Sequence, residues 1–356
     1  MPLYMDIHIV NSDNFTVEDI VKAHMKDVEI QEKFGVIQKK YWVNEEAKTL
    51  FCLMEGPNKE ACNKVHKESH GNTACNIIEV FDDEFNLFLG VGKNINDLAY
   101  TITGELDTGY RSILLVRLLD LTGKYDYYYL EISQLIDQYQ GIPIVQADTD
   151  IMASFINAYH ATSCVLAISK LLKSNPDNFE FSISVVSGRP VDEKGMKLFE
   201  KTKKKGQYII AIGLKNTICI DTLTKTLSNK AMGYPTIQQD DFKILEHDDF
   251  TLLFQLVDLI NKELYNPDFK SNNLNKSLGF SKSQSYRKIK SLTGITANQL
   301  IQELRLRQSL KRLNQNNHTI AEIAYELGFN SPTYFTRVFR KRYHILPTSF
   351  VKLSTH

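Results

Sequence analysis

The C-terminal third of this 356-residue chain carries one short pattern twice, and this repeat constrains the fold more than any other feature. Each copy predicts a short helix, a tight turn at a glycine, and a second helix that carries several Arg and Lys. The first turn is at Leu278-Gly279-Phe280, and the second, at Leu327-Gly328-Phe329, follows 49 positions later. The sequence therefore predicts two tandem helix-turn-helix units within an all-α domain over residues 251–356.

Helix starts in this domain are marked by capping boxes, in which a hydroxyl residue is followed three positions later by Gln or Glu. Such boxes begin at Ser281, Thr296 and Thr319. The main helices predicted here are Lys282–Lys290, Ala297–Leu313 and Pro332–Lys341. The first and last of these are the candidate recognition helices, and the middle one joins the two units.

Charge is distributed unevenly along the chain, although 42 basic and 42 acidic residues make the total zero. Between Ser271 and Lys352, 14 Lys and Arg stand against three acidic residues, which gives +11 and leaves −11 on the rest of the chain. A polyanion would therefore bind the C-terminal third rather than the whole molecule.

The outward positions of the two recognition helices supply the candidate DNA contacts. In such helices Arg and Gln pair with the edges of guanine and adenine, while Lys, Ser and Thr mostly hold phosphates. The predicted contacts are Lys282, Ser283, Gln284, Arg287, Lys288, Ser331, Thr333, Thr336, Arg337 and Arg340. Two recognition helices in successive major grooves on one face of DNA lie about 34 Å apart.

The second unit reads I-x-x-I-A-x-x-x-G-F-x-[ST]-x-x-Y-F-x-R-x-F-[KR]-[KR] from Ile320 to Lys341. In this pattern it resembles the AraC/XylS family of bacterial transcription regulators. The resemblance implies double-stranded operator or promoter DNA as a partner, and we also expect contact with RNA polymerase. A homodimer is left open. Two positions depart from the family pattern: Ser285 stands where an apolar residue is usual, and His344 where glycine is usual.

Residues 1–92 predict a different kind of domain. Strands are expected at Leu3–Val10, Val36–Val43, Leu50–Glu55 and Cys75–Phe81, with helices at Thr16–Phe34 and Asn58–His70. The order βαββαβ is typical of a ferredoxin-like α+β sandwich.

Histidines and cysteines are concentrated in this N-terminal domain. His66 and His70 lie four positions apart on one predicted helix, a spacing that can place two imidazoles on one face as a metal clamp. The candidate ligands are His8, His24, Cys52, His66 and His70. Mixed imidazole and thiolate ligands suit nickel, copper or zinc rather than magnesium or calcium. The open alternative is that these histidines are hydrogen-bonded core residues.

The segments Met1-Pro-x-Tyr-Met-Asp-x-His8 and Val65-His66-Lys-Glu-x-His-Gly71 resemble a small ferredoxin-like family of nickel-binding proteins. Ala23-His24, the run from Tyr41 to Cys52, and Glu55-Gly-Pro57 add to this resemblance over roughly 80 residues. It implies nickel as the metal, ahead of zinc or copper.

Residues 105–228 predict an α/β domain. Strands are expected at Ser112–Leu119, Pro143–Ala147, Phe179–Val186, Tyr208–Ile212 and Thr217–Ile220, and helices at Leu130–Gln140 and Ile151–Leu172. Residues 93–110 are polar and rich in turn residues, which indicates a domain boundary. Residues 229–250 lack periodicity and predict a linker.

Leu115–Thr122 and the run from Gly141 to Phe155 resemble two segments of class III nucleotide cyclases. That family holds two divalent cations with one aspartate from each segment. In the best register those positions are Arg117 and Thr149, and arginine cannot ligate a cation. A shifted register would use Asp120 and either Asp148 or Asp150. We therefore expect a degenerate, non-catalytic domain, with a retained ligand pocket left open.

Five cysteines, an odd number and scattered, fit a reducing compartment better than a disulfide framework. The N-terminus shows no secretory signal pattern, and no apolar run reaches the roughly 18 residues needed to span a bilayer. We expect a cytoplasmic protein with no membrane contact.

Together these patterns predict a DNA-binding transcription regulator of AraC/XylS type, controlled by a metal or small ligand that the first two domains sense. Two alternatives stay open. One is a nucleotide cyclase fused to a DNA-binding domain, and the other is a metal-binding protein with incidental DNA affinity.

Overall fold

The structure is a computed structural model that describes residues 1–11, 15–121, 125–144, 150–174, 179–231, 236, 238–315 and 317–354. Two mixed six-stranded sheets form the front of the molecule, and a group of helices forms the C-terminal part.

The N-terminal unit has the predicted βαββαβ order. Its elements are β1 Leu3–Ile9, α1 Val17–Ile30, a short 3-10 helix Gln31–Phe34, β2 Ile37–Asn44, β3 Thr49–Glu55, α2 Lys59–Ser69 and β4 Asn76–Val80. The strands lie in the order β4-β1-β3-β2 and pair antiparallel. Thr16 caps α1 by accepting a hydrogen bond from the Asp19 N–H. The ferredoxin-like prediction is confirmed.

The sheet continues past residue 92, where the sequence predicted a boundary. Helix α3, Asp82–Leu89, is followed by the short strands β5 Lys93–Ile95 and β6 Leu98–Tyr100. Strand β6 pairs with β2 in parallel, with Leu98 opposite Tyr41, and extends the sheet to six strands. The polar residues around this hairpin are exposed, and only Leu98 and Ala99 are buried, so the pattern resembled a loop.

The middle unit is built on a second sheet. Its elements are β7 Arg111–Asp120, α4 Tyr125–Gln138, β8 Ile142–Ile144, β9 Ile151–Phe155, α5 Ala158–Lys173, β10 Phe179–Gly188, α6 Glu200–Ile212, β11 Thr217–Asp221, α7 Thr222–Lys230, a 3-10 helix Gln239–Asp241 and β12 Lys243–Leu245. The strand order is β12-β11-β10-β7-β9-β8. Four of these strands, β10-β7-β9-β8, repeat the βαββαβ arrangement of the N-terminal unit.

Three predictions for the middle unit were wrong. The helix predicted over Ile151–Leu172 is strand β9 followed by α5, and the strand predicted at Tyr208–Ile212 lies within α6. All five residues of β9 are buried because apolar cores cover both faces of the sheet, so the strand lacks the alternation that marks a half-exposed strand. The predicted linker 229–250 contains β12, which pairs in parallel with β11.

Every secondary-structure element described in the C-terminal part is a helix, as predicted. It consists of α8 His247–Glu263, α9 Ser271–Ser277, α10 Lys282–Thr293, α11 Ala297–Gln315, α12 Ile320–Glu326, α13 Pro332–Tyr343 and α14 Pro347–Ser354. The predicted capping boxes form at Ser281, Thr296 and Thr319. Gly279 and Gly328 both have a positive φ, as the two turns require.

The helical part packs directly on the middle unit. One apolar core contains Val186 and Ile209 of the middle unit together with Leu256 of α8 and Ile289 of α10. Strand β7 also reaches the second helix-turn-helix unit, where Leu119 packs against its core. The middle unit and the helical part are therefore joined by buried side chains as well as by the chain itself.

An ionic clamp closes the same contact, and we define it as Arg342, Glu180 and Glu303. Arg342, in the last turn of α13, donates to the Glu303 carboxylate of α11 at 2.6 Å and to the Glu180 carboxylate of β10 at 2.6 Å. Lys215 adds a third cation, 2.7 Å from Glu180. Burial alone would raise the pKa of Glu180 and Glu303, but Arg342 holds both pKa values below their usual range.

We expect Glu180→Gln to lower the thermal midpoint of the full chain at neutral pH by several degrees, since it removes a charged partner worth about 2 kcal/mol. Because the folded pKa of Glu180 lies below its unfolded value of 4.5, the wild-type advantage is present above that value. The advantage should vanish as pH falls through the lowered pKa. Thermal unfolding followed by circular dichroism between about pH 3 and pH 8 measures this difference in midpoint.

The matched control is Glu193→Gln, which removes an exposed carboxylate that pairs with Arg189 on the surface. This variant should melt within about a degree of the wild type at every pH. Equal thermal midpoints for both variants and the wild type at neutral pH would contradict a stabilising role for the ionic clamp.

Candidate functional site

Helix α10 presents the first set of predicted DNA contacts. Lys282, Ser283, Gln284, Arg287 and Lys288 are all exposed, while Ile289 turns inward. Ser281 caps the helix, and Gln284 returns the capping interaction by accepting from the Ser281 N–H at 3.0 Å. In the free protein the Gln284 carbonyl is therefore occupied by the helix cap. Arg287, Lys288 and Lys282 remain the cationic groups on the open face.

Helix α13 presents the second set. Thr333, Arg337 and Arg340 are exposed, whereas Ser331 and Thr336 are half-buried. Ser331 caps the helix by accepting from the Tyr334 N–H, so its hydroxyl serves the fold in the free protein. The outer side of the helix forms a shallow open depression, with Thr333, Thr336, Arg337 and Arg340 in its lining. Its floor is cationic and suits a phosphate backbone or a base edge.

Three of the 14 basic residues counted in this third of the chain do not face solvent as DNA contacts. Arg305 is buried and donates to the backbone carbonyls of Leu264 and Asn266, just beyond the end of α8. Arg307 is paired with Glu303, and Arg342 belongs to the ionic clamp. The charge count alone could not separate these structural arginines from the exposed ones.

The joining helix α11 sets the distance between the two units. With 19 residues it is about 28 Å long, somewhat shorter than the roughly 34 Å repeat of one helical turn of DNA. Helix α10 packs near its start, and α12 and α14 also pack on it.

Ser285 occupies the apolar position noted in the sequence. Its side chain is buried, and its hydroxyl has no hydrogen-bond partner among the described residues. His344, the second departure, ends α13 with φ at 63°, the left-handed conformation for which glycine is favoured. The glycine usual in the family therefore corresponds to a real backbone requirement.

The N-terminal unit brings four metal-ligating side chains together beneath its helices, and we call them the first cluster: Asp6, His8, Cys52 and His66. One ligand atom from each lies within 4.8 Å of all the others, and all four residues are buried. Asp6 Oδ2 lies 3.1 Å from His8 Nε2 and 2.9 Å from His66 Nε2. The other Asp6 oxygen accepts from the Cys52 backbone N–H at 2.9 Å.

A second cluster, Asp27, His66 and His70, shares His66 with the first. His66 Nδ1 lies 2.9 Å from Asp27 Oδ2, and His70 Nε2 lies 3.4 Å from Asp27 Oδ1. His24 belongs to neither cluster. It lines the same small cavity but stacks on Tyr41 and contacts Asp97 at 3.1 Å.

Four of the five predicted ligands, His8, Cys52, His66 and His70, thus lie in these clusters. The sequence interpretation left out Asp6 and Asp27. Asp6 had a signal, because it lies two positions before His8 and so shares its face of β1.

The pKa values of the cluster residues are set by two effects, burial and the opposite charges of their neighbours. Burial alone would raise the pKa of Asp6 and Asp27, but neighbouring histidines hold both pKa values well below their usual range. Burial alone would lower the pKa of His66, but the Asp27 and Asp6 carboxylates raise it to about 10. Burial and then the charge of Asp6 raise the pKa of the Cys52 thiol. A bound cation would replace the protons held by His66 and Cys52.

The first cluster fits a transition metal on three grounds. His66 Nε2 is buried close to Asp6, yet that contact lacks hydrogen-bond geometry, and no described residue gives the nitrogen a hydrogen-bond partner. The donors are one carboxylate, two imidazoles and one thiol, a mixture that suits nickel, zinc or copper. The small cavity beside these donors, with His8, Cys52 and His66 in its lining, encloses only about 10 Å³, which is the scale of a single ion rather than of an organic ligand.

The position compared with a cyclase metal ligand carries an ion pair. Arg117 Nε donates to Asp150 Oδ1 at 2.7 Å, and a terminal nitrogen of Arg117 donates to the Ile210 carbonyl at 3.1 Å. Asp150 is therefore engaged by a cationic side chain of the protein. Of the other residues considered there, Thr149 and Asp148 lie outside the described residues, and Asp120 is the last residue of β7.

The two ends of the chain match two different protein-family models. A family model described as nickel responsive protein SCO4226-like matches residues 4–80, and one described as a helix-turn-helix domain matches residues 274–352. The chain carries a SCO4226-like domain and an AraC-type helix-turn-helix domain. Both resemblances inferred from the sequence are confirmed for these two segments.

Among curated relatives of the helix-turn-helix domain is an uncharacterised helix-turn-helix transcriptional regulator from Pseudoalteromonas carrageenovora. It is 39% identical over 74 residues, which are 21% of this chain and 43% of the relative. The chain spans less than two thirds of the length of the curated relatives that it matches.

Two solved structures are similar to parts of the chain. SCO4226 from Streptomyces coelicolor A3(2) is 31% identical, with 22% of this chain and 94% of that chain covered and a TM-score of 0.21. The guanylate cyclase domain of RhGC from Catenaria anguillulae, solved in complex with GTP, is 11% identical, with 35% and 83% covered and a TM-score of 0.29. Among the described residues, no helix is long and apolar enough to cross a membrane.

Ser285 gives a stability test of the first recognition helix. Replacing it with alanine removes a buried hydroxyl without a partner, so we expect Ser285→Ala to raise the free energy of unfolding by about 1 kcal/mol. Ser283→Ala, an exposed change on the same helix, should stay within about 0.5 kcal/mol of the wild type. Urea unfolding followed by circular dichroism compares them. A loss of stability in Ser285→Ala would show that the hydroxyl is satisfied.

Proposed function

We propose that this protein is a sequence-specific, DNA-binding transcription regulator whose front units respond to a transition metal. The observation that carries the proposal is the pair of capped helices α10 and α13, which expose cations and polar groups and are linked through the 19-residue helix α11. The family match of residues 274–352 and the regulator relatives support it.

In this proposal each recognition helix enters a major groove. Arg287 of α10 and Arg337 of α13 are exposed and stand on the outer faces of their helices, so they are the best placed to pair with guanine edges. Lys282, Lys288 and Arg340 hold phosphates and supply affinity that falls with salt. The expected partners are promoter DNA and, through it, RNA polymerase.

The metal part of the proposal concerns the first cluster. Asp6, His8, Cys52 and His66 would hold the ion, and nickel is favoured by the family of the SCO4226-like domain. A bound divalent ion would supply a cross-link between β1, β3 and α2 and would compensate the buried carboxylate. Asp27 would orient His66 through its other ring nitrogen, as carboxylates commonly do for metal-bound histidines.

We infer no catalytic role for the middle unit. Arg117 places a cation where a cyclase would need a metal ligand, and Asp150 is already paired with it. The purified chain should form no cyclic nucleotide from ATP or GTP with magnesium or manganese. Formation of either product would require a different assignment of the aspartates.

Arg287→Ala and Arg337→Ala should each weaken binding to genomic promoter fragments by about tenfold, since each loses a bidentate contact worth about 1–3 kcal/mol. Fluorescence anisotropy across a salt series measures the affinity and its slope. Lys262→Ala, which removes an exposed cation of α8 that belongs to neither recognition helix, is the control and should bind like the wild type. Equal affinity of all four proteins would refute the assignment of these helices.

Cys52→Ser and His8→Ala should each lower the affinity for nickel by about tenfold or more, because each removes a first-cluster donor. Isothermal titration of the full chain with nickel chloride measures this, and nickel binding should release protons to the buffer. Cys75→Ser, an exposed cysteine outside both clusters, is the matched control. Nickel affinity unchanged by Cys52→Ser and His8→Ala would place the metal elsewhere.

A further inference from the structure

A cavity of about 380 Å³ lies at the junction between the middle unit and the helix-turn-helix domain, and we call it the junction pocket. Leu119 of β7, Ser182 of β10 and Ala211 of α6 line one side. Leu304 and Lys311 of α11 line the other. Its volume is at the lower end of the range for pockets that bind small organic molecules.

One residue in the lining of the junction pocket, Ser182, carries a polar atom that the fold leaves unsatisfied. Ser182 is 5% exposed, and its hydroxyl has no hydrogen-bond partner among the described residues. A buried hydroxyl without a partner costs about 1–3 kcal/mol, and most native hydroxyls avoid this cost. A ligand with a hydrogen-bonding group would satisfy Ser182, so this atom points to an occupant.

The charges of the pocket select the kind of ligand. Three of its cations already have partners, because Arg117 pairs with Asp150, Lys215 with Glu180 and Arg307 with Glu303. Lys311 lines the pocket at the exposed rim and has no ion-pair partner among the described residues. The remaining walls are mostly apolar, with Leu310 and Phe350 among them.

We propose that the junction pocket binds a compact, mostly apolar organic acid, whose anionic group pairs with Lys311 and whose polar group hydrogen-bonds to Ser182. The two walls belong to different units, so the ligand's affinity depends on how those units are arranged. Occupancy therefore changes how the recognition helices are presented. This coupling rests on the proposed DNA-binding function, whereas the pocket itself does not.

The pocket is tested on the full chain with 8-anilinonaphthalene-1-sulfonate, an aromatic sulfonate whose fluorescence rises in apolar sites. N-phenyl-1-naphthylamine is its uncharged counterpart. We expect one saturable sulfonate site in the wild type. Ala211→Phe fills the pocket and should weaken this binding about tenfold or more.

One variant at the rim and one control outside the pocket isolate the contribution of the Lys311 charge without changing the core. Lys311→Gln should weaken sulfonate binding about threefold and leave the uncharged probe unaffected. Lys276→Gln, an exposed lysine of α9 outside the pocket, should change neither probe. The proposed ligand site would be overturned if the wild type showed no saturable sulfonate binding. It would also be overturned if the wild type, Ala211→Phe and Lys311→Gln bound the sulfonate equally with unchanged circular dichroism.

The coupling is tested separately by anisotropy with a promoter DNA duplex. Saturating sulfonate should change the Kd for the duplex about fivefold in the wild type and leave that of Ala211→Phe unchanged. The same Kd with and without sulfonate in the wild type would overturn the coupling. If no protein binds the duplex even without sulfonate, the proposed DNA-binding function fails, and the fluorescence experiment still decides the pocket.

Discussion

The two-sided burial of strand β7 is the contact on which the arrangement of all three units depends. Its alternate side chains enter different cores: Leu114 and Val116 pack under α4 and α5, whereas Ile113 and Leu115 pack against the N-terminal sheet. Its far end reaches the second helix-turn-helix unit through Leu119. Successive side chains of a strand point to opposite faces, so a shift of β7 by one residue would move every side chain from one core into the other.

The N-terminal sheet uses the same alternation to connect the metal clusters with the middle unit. On β1, Asp6 and His8 face the clusters, while Met5 and Ile7 on the opposite face join the core shared with β7. On β3, Cys52 faces the first cluster, and its neighbours Phe51 and Leu53 enter that shared core. A metal that draws these donors together would act on strands whose other faces touch the middle unit, so the path for linkage is short and well packed.

The sequence predicted those parts whose patterns are local. The capping boxes, the glycine turns and the spacing of His66 and His70 each lie within a few residues, and all appear as predicted. Features that depend on distant partners were missed. Strand β9 looked helical because both of its faces are buried, and Asp27 could be recognised as a partner of His66 only once α1 and α2 were packed together. Arg305 counted as surface charge although it caps backbone carbonyls.

The ionic clamp shows why paired charge matters more here than total charge. Arg342 ends α13, Glu303 lies on α11, and Glu180 lies on β10, so one guanidinium holds a recognition helix, the joining helix and the central sheet together. Removing one partner would leave the others partly buried and uncompensated, which is costly. Because the C-terminal end of α13 is held in this way, its N-terminal turn is positioned by the sheet. A displacement of β10 would therefore reach α13 through this guanidinium, in addition to the apolar contact that β7 makes with the core around α13 through Leu119.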